Sequence, residues 1–293
     1  MSAPTAERTS VLASLEEAIG EIGDGATVGI GGAVTAAHPM ALVRGLARRR
    51  VRGLTVVAPT AGLDVELLIA AGCVETLHSC YVGYEVVAGL GPVYRQAVQS
   101  GALKMKDMDE GHCIAGLRAA SQRLPFMPWR GGVGTSFPEL NDGIVAFSDP
   151  IAGEELLAIA ALPLDFALVY AETADEFGNA RPYGSGNMDH LIGAAADRVI
   201  VQVDRVVSNE EIRKEPERNW RWRDTRVVRA PFGTHPYSSS YMVADTEHLQ
   251  EFIGATRDPD ALAAYVERVA GPEVDHDTYL EQIGIRRIAS LLV

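Results

Sequence analysis

The chemistry open to this chain comes from carboxylates and glycine-rich turns, because other common kits are missing from its sequence. Its seven histidines are scattered without an HxH or HxxxH pair, so no metal site is expected. No GxSxG elbow is present for a serine hydrolase. The leading acid is Glu110, in Met108-Asp109-Glu110-Gly111-His112, feeding a helix that ends in Gln122-Arg123 before Leu124-Pro125-Phe126-Met127-Pro128. At a helix start an acid caps free N–H groups and offsets the positive dipole end. At the mouth of a sheet crevice the same acid is a general base or a nucleophile. His112 reads as a surface histidine.

Three other stretches have the right composition. Thr27-Val28-Gly29-Ile30-Gly31-Gly32 is a strand running into a diglycine, with Pro39 where a helix would begin. Glycines there let backbone N–H groups approach a phosphate, carbonyl or oxyanion; equally, they suit a tight strand-to-helix turn. The spacing is not GxGxxG and no Walker lysine follows. Asp175-Glu176-Phe177-Gly178-Asn179 has the residue types of a turn. Pro231-Phe232-Gly233-Thr234-His235-Pro236 is a rigid, polar-rimmed loop that sets His235 between a hydroxyl residue and a proline.

The elements that must position these residues alternate in type. Thr27–Gly32, Leu54–Ala58, Thr76–Gly83, Phe166–Ala171 and Arg198–Val207 are short apolar runs of buried-strand kind. Helical patterns cover Val11–Ile22, Met40–Arg49, Val65–Ala71, Val93–Ser100, Ile114–Arg123, Glu154–Ala161 and His190–Ala196. This predicts an α/β fold, an open and mainly parallel sheet with helices on both faces. No linker interrupts the pattern, so residues 1–293 read as a single domain. A helical tail over 258–293 comprises Pro259–Ala270 and His276–Leu292.

Composition narrows the function classes. With 26 basic against 39 acidic residues the net charge is −13, unsuited to nucleic acid, which needs clustered cations. Arg48-Arg49-Arg50 and the stretch from Arg213 to Arg229 are local exceptions. The latter contains Trp220 and Trp222 and suits either a solvated face or a partner or ligand contact. Cys73, Cys80 and Cys113 are odd in number and lack CxxC spacing, which predicts reduced core thiols. No apolar run approaches the ~20 residues of a membrane span and the first eight residues hold no signal core. The expectation is a soluble, cytoplasmic protein with no membrane partner.

Taken in order, these segments resemble the A subunit of family I coenzyme A transferases over roughly Leu12 to Asp245. The resemblance is carried by the DGxTVxIGG strand-loop with Pro39, Leu54-Thr55-Val56-Val57, Tyr81-Val82-Gly83-Tyr84-Glu85, Glu110-Gly111 and Leu124 to Pro128. Gly134-Thr135, Asp175 to Asn179, Ala196 to Val201 and Pro231 to Pro236 continue it. The branch it most resembles holds glutaconate CoA-transferase A subunits and ring-opening enzymes of steroid breakdown. The resemblance implies a B-type partner subunit, coenzyme A as a substrate moiety and no permanently bound cofactor. It further implies that Gly31 and Gly32 approach the acyl group through backbone N–H groups, that His235 lines the substrate site, and that Glu110 is catalytic. The transferase glutamate lies in a Ser-Glu-Asn-Gly motif of the B chain, absent here, so this chain alone should not transfer CoA. Many transferase A subunits carry glutamine where this chain has Glu110, an acid that suits a general base in the ring-opening branch. Transferase is the first reading and CoA-dependent C–C hydrolase the alternative; a scaffold subunit is the third.

Overall fold

The computed structural model describes residues 8–85, 87–182 and 188–293; most of the N-terminal stretch used for the signal-peptide reading lies outside them. Alternating side chains explain the central sheet. In Leu164–Ala174, Leu168 points into one apolar layer while Ala167 and Val169 point into the other. In Ala196–Val206, Ile200 divides from Val199 and Val201 in the same way. Strands apolar on both sides need helices on both sides. Leu15–Gly20, Met40–Arg49, Leu63–Ala70, Thr246–Ala255 and Pro259–Ala270 cover one face; Glu110–Ser121 and Asp189–Ala195 cover the other.

The order across the sheet is Leu12–Ala13, Thr225–Arg229, Ala196–Val206, Leu164–Ala174, Thr27–Ile30, Leu54–Val57, Val74–Ser79 and Lys104–Asp107. These strands pair in parallel throughout. Ala180–Arg181 adds an antiparallel segment to Leu164–Ala174. Successive early strands step away from Thr27–Ile30 on one side and later ones step away on the other. The winding therefore reverses between Thr27–Ile30 and Leu164–Ala174. That reversal opens a crevice at the carboxyl ends of the two strands, where open α/β sheets hold ligands.

Three expectations change. Glu154–Ala161 is not a helix: Glu155–Ala160 is the middle strand of an antiparallel sheet with Phe126–Trp129 and Ile144–Ser148. Helix-forming Glu, Leu and Ala yield to cross-strand pairing, with Leu157 and Ile159 buried on one face. Val11–Ile22 begins as the short strand Leu12–Ala13; only then does Ser14 cap Leu15–Gly20 in a capping box with Glu17. His276–Leu292 breaks at Gly284, whose φ of 84° separates His276–Ile283 from Ile285–Ser290. Lys104–Asp107, at the sheet's edge, hid as a strand because three of its four residues are charged, and Thr225–Arg229 because its apolar run is only Val227-Val228 between two arginines.

The arginine-rich segment is absorbed into the structure. Trp220 and Trp222 stack with His190, at 5.8 and 6.1 Å between ring centroids, and Trp222 Nε1 donates to the His190 carbonyl at 3.2 Å. This aromatic cluster fixes helix Asp189–Ala195 against the sheet. A Cβ on Gly193 would lie 2.4 Å from the Trp222 ring. Gly193→Ala is therefore expected to cost about 1–3 kcal/mol by overpacking, read as a lowered melting temperature.

Candidate functional site at the strand reversal

Gly31 and Gly32 leave the sheet where the winding reverses, and their backbone donors are already committed. Gly31 N–H donates to the Leu168 carbonyl at 2.9 Å, the last rung of the ladder. Gly32 N–H donates to Asp189 Oδ1 at 2.8 Å. Within this chain both donors are therefore occupied. What the glycines supply is room. A Cβ on Gly31 would sit 2.7 Å from the Asp189 carboxyl carbon, and one on Gly32 would sit 2.6 Å from the His38 ring. Gly32 also has φ of 99°, disfavoured for residues with a Cβ.

The cluster beneath the loop is polar and buried. Asp189 is 2% exposed, His38 0% and Asp64 1%. His38 Nδ1 pairs with Asp64 Oδ2 at 3.1 Å, and the His38 ring lies 4.3 Å from that of Tyr237. His38 Nε2 meets no hydrogen-bond partner among the described residues. Burial pushes the Asp189 carboxyl up to about 7, against the opposing pull of the Gly32 N–H and of His38. Burial also acts to raise Asp64, but the His38 imidazole and the Gly62 and Val65 N–H groups outweigh it and hold Asp64 below the usual carboxylate range. Asp189 looked in the sequence like any acid opening a helix; only packing under the diglycine distinguishes it.

Glu110 stands at the same edge. Helix Glu110–Ser121 packs against helix Asp189–Ala195, and their C-terminal turns meet around a common cavity at the opposite, amino edge of the sheet. Side-by-side helices of this kind lie about 8–10 Å apart. Glu110 and Asp189 are the first residues of these neighbouring helices, both started at the carboxyl edge. The cap is Asp109, whose Oδ1 accepts the His112 N–H at 2.6 Å. Glu110 itself is exposed. His112 is fully buried, contrary to expectation: its Nδ1 accepts from Asp109 N–H at 3.3 Å and its Nε2 bonds the Gly131 carbonyl at 3.0 Å.

Cys80 and Cys113 adjoin Glu110. Their mutual hydrogen bond lowers the Cys80 thiol and raises that of Cys113, while the negative charges of Glu110 and Asp109 push both upward. All three cysteines are free thiols.

His235 belongs elsewhere. It is 0% exposed, with Nδ1 2.7 Å from Tyr279 Oη and Nε2 3.1 Å from Asp245 Oδ2. Its carbonyl accepts from Arg44 Nη1 at 2.8 Å, and the Arg44 guanidinium lies 3.6 Å from the Tyr279 ring centre. These contacts dock the C-terminal helices and occupy both ring nitrogens of His235. Among the described residues there is no group of three or more His, Cys, Asp or Glu able to hold a metal, and no helix long and apolar enough to cross a membrane.

A doubly wound parallel sheet that reverses at a diglycine loop, with an exposed acid on a capped helix at the same carboxyl edge, is the frame of an α/β enzyme subunit. Residues 12–220 match the model of the Coenzyme A transferase family, and the chain belongs to that family. It is 34% identical over 282 residues to the cholesterol ring-cleaving hydrolase IpdA subunit of Rhodococcus jostii, covering 92% of this chain and 95% of that one. The crystal structure of glutaconate coenzyme A-transferase from Acidaminococcus fermentans superposes with a TM-score of 0.91 at 26% identity, over 97% of this chain and 96% of the other. The decarboxylase AibA/AibB, crystallised as a cysteine-to-serine variant, follows at a TM-score of 0.76 and 29% identity, over 90% and 99%.

Two outcomes are expected from this geometry. Asp189 in the fold keeps its proton to about 7, whereas an unfolded aspartate loses it near 3.9. Between those values the folded state binds more protons, so this group's contribution to stability is present at low pH and falls as pH rises to 7. Wild type should therefore lose stability relative to Asp189→Asn across that window, measured by denaturant melts of both from pH 4 to 7. His235→Ala should cost about 3 kcal/mol by leaving the buried Tyr279 hydroxyl without its partner and opening a void in the core, and should leave the affinity of the folded protein for coenzyme A unchanged in a calorimetric titration.

Proposed function

We propose that this chain is the alpha-type subunit of a heteromeric hydrolase that opens a cyclic diketone carried as a coenzyme A ester, with Glu110 as general base. The observation that supports it most is the division of labour at the helix start. Asp109 takes the capping role, leaving the exposed Glu110 carboxylate free to accept a proton at the crevice mouth. Likeness to a ring-cleaving hydrolase subunit over nearly the full length of both chains points the same way.

In this reading Glu110 removes a proton from water, and the hydroxide adds to a ring ketone. The tetrahedral adduct collapses with cleavage of the bond to the adjacent carbon. That carbon's electron pair is delocalised into the second carbonyl as an enolate, which recovers the proton from Glu110. The products are a new carboxylate and a ketone, and water is the only co-reactant. General base catalysis of this kind contributes about 10²–10⁴-fold. A B-type subunit completes the crevice.

The second reading, transfer of CoA between an acyl-CoA and a carboxylate, is favoured by the close superposition on glutaconate coenzyme A-transferase. There the nucleophile belongs to the partner and Glu110 is a spectator or a hindrance to a developing oxyanion. Glu110→Gln separates the two. In the complex reconstituted with its B-type subunit, the hydrolase reading expects kcat to fall by about 10²–10⁴, with binding of the CoA ester retained. The transferase reading expects kcat to hold or rise, because an amide donor replaces a negative charge. An unchanged kcat would reject the general base.

A further inference from the structure

Two glycines beside Glu110 make room for one indole. Trp129 ends strand Phe126–Trp129 and pairs directly with the buried Leu157. Its side chain therefore goes to the inner side of the small sheet, onto the start of helix Glu110–Ser121. A Cβ on Gly111 would lie 2.8 Å from Trp129 Cζ2 and 2.9 Å from Nε1, and one on Gly131 would lie 2.8 Å from the same nitrogen. Glycine is a poor helix former, yet Gly111 stands in the first turn, directly after the exposed acid. Its missing side chain is what lets the indole close in.

The ring is held in place while its own donor is unused. His112 Nε2 bonds the Gly131 carbonyl at 3.0 Å and its Nδ1 accepts from Asp109 N–H at 3.3 Å, which ties the loop after Trp129 to the helix start. Phe137 backs the His112 ring edge-on, with centroids 4.7 Å apart. Trp222 gives its indole N–H to the His190 carbonyl. The Trp129 N–H meets no acceptor among the described residues, and Trp129 is only half-buried, so that donor stays open to solvent. A tryptophan N–H packed against protein usually finds a partner. This one is fixed, open, and set against the residue that follows an exposed carboxylate.

We infer that Trp129 is a second catalytic residue of this site, its Nε1–H donating to the ring ketone oxygen while Glu110 activates the water that attacks the same carbonyl. The inference rests on the hydrolase reading and deepens it by naming an oxyanion donor. When hydroxide adds, the carbonyl electron pair moves onto oxygen and the water proton is already on Glu110, so the oxyanion is the charge that needs a partner. The Gly31 and Gly32 N–H groups are committed within this chain. A neutral donor suits the place. Indole donates without accepting, so it does not compete with Glu110 for the proton. Its hydrogen bond strengthens as charge builds on the oxygen and weakens when the adduct collapses; the proton stays on Nε1 throughout. The flat aromatic face beside that N–H also suits a cyclic diketone.

The test is steady-state kinetics of the complex reconstituted with its B-type subunit, on the coenzyme A ester of a cyclohexanedione-propionic acid. Trp129→Phe keeps an aromatic wall and deletes the donor. A second variant, Trp129→benzothienylalanine, puts sulfur in place of the N–H on a ring of the same shape, and it decides the matter should Trp129→Phe fail to fold. Each should lower kcat by about 10²–10³, the scale of one oxyanion donor, with KM within about threefold of wild type. The position of the pH profile of kcat should not move, because the deleted group is neutral. An unchanged kcat in the benzothienyl variant overturns the inference, and so does a raised KM alone, which would make Trp129 a binding wall. Glu110→Gln, assayed in parallel, separates this inference from the reading beneath it. If Glu110→Gln collapses kcat and the benzothienyl variant does not, the hydrolase reading stands and the donor falls. If the benzothienyl variant is slow and Glu110→Gln is not, the general base falls and Trp129 remains a donor to a carbonyl attacked from the partner subunit.

Discussion

The hydrogen bond from Gly32 N–H to the buried Asp189 carboxyl holds the candidate site together. It joins the loop after one central strand to the helix associated with its neighbour, across the place where the winding of the sheet reverses. The bond requires two missing Cβ atoms. With a methyl group on Gly31 or Gly32, either the Asp189 carboxyl or the His38 ring would have to move by more than the surrounding core allows. Once the loop is drawn in, Asp64, His38 and Tyr237 pack beneath it and the crevice has a defined floor.

That arrangement carries an energetic burden. Three titratable side chains lie within one closely packed region, and His38 Nε2 finds no partner among the described residues. A buried group without a bond costs about 1–3 kcal/mol. Asp189 relieves part of the burden by keeping its proton to about 7; Asp64 stays ionised because an imidazole and two N–H groups face it. Carboxyls so close in space with such different proton affinities are a property of the surroundings and not of the residue type. The tail is held by a similar but separate polar network, in which Arg44, His235, Tyr279, Asp245 and Arg287 link three C-terminal helices to helix Met40–Arg49. One network shapes the crevice and the other stabilises the frame behind it.

The carboxyl edge thus divides its tasks. Backbone and buried acids at the reversal set the shape, while Glu110, at a neighbouring helix start, stays exposed. The family tolerates different chemistries on this frame, since a hydrolase subunit and a transferase both align over most of this chain.

Much of this was legible in the sequence. Apolar runs of strand length between helical patterns dictated a parallel sheet covered on both faces, because only that layering buries strands apolar on both sides. The order of short motifs pointed to the family, and Glu110-Gly111 stood out as an acid at a helix start. Tertiary structure alone decided the rest. Glu155–Ala160 became a strand because two neighbours offered hydrogen bonds that its helix propensity could not outweigh. His235 went into the core because Tyr279 and Asp245, 44 and 10 residues away along the chain, satisfied both its nitrogens. The Gly32 N–H went to Asp189, 157 residues distant, while the Gly31 N–H stayed in the ladder on Leu168. Burial, and with it the proton affinity of a carboxyl, depends on partners far apart in the chain, and no local pattern encodes it.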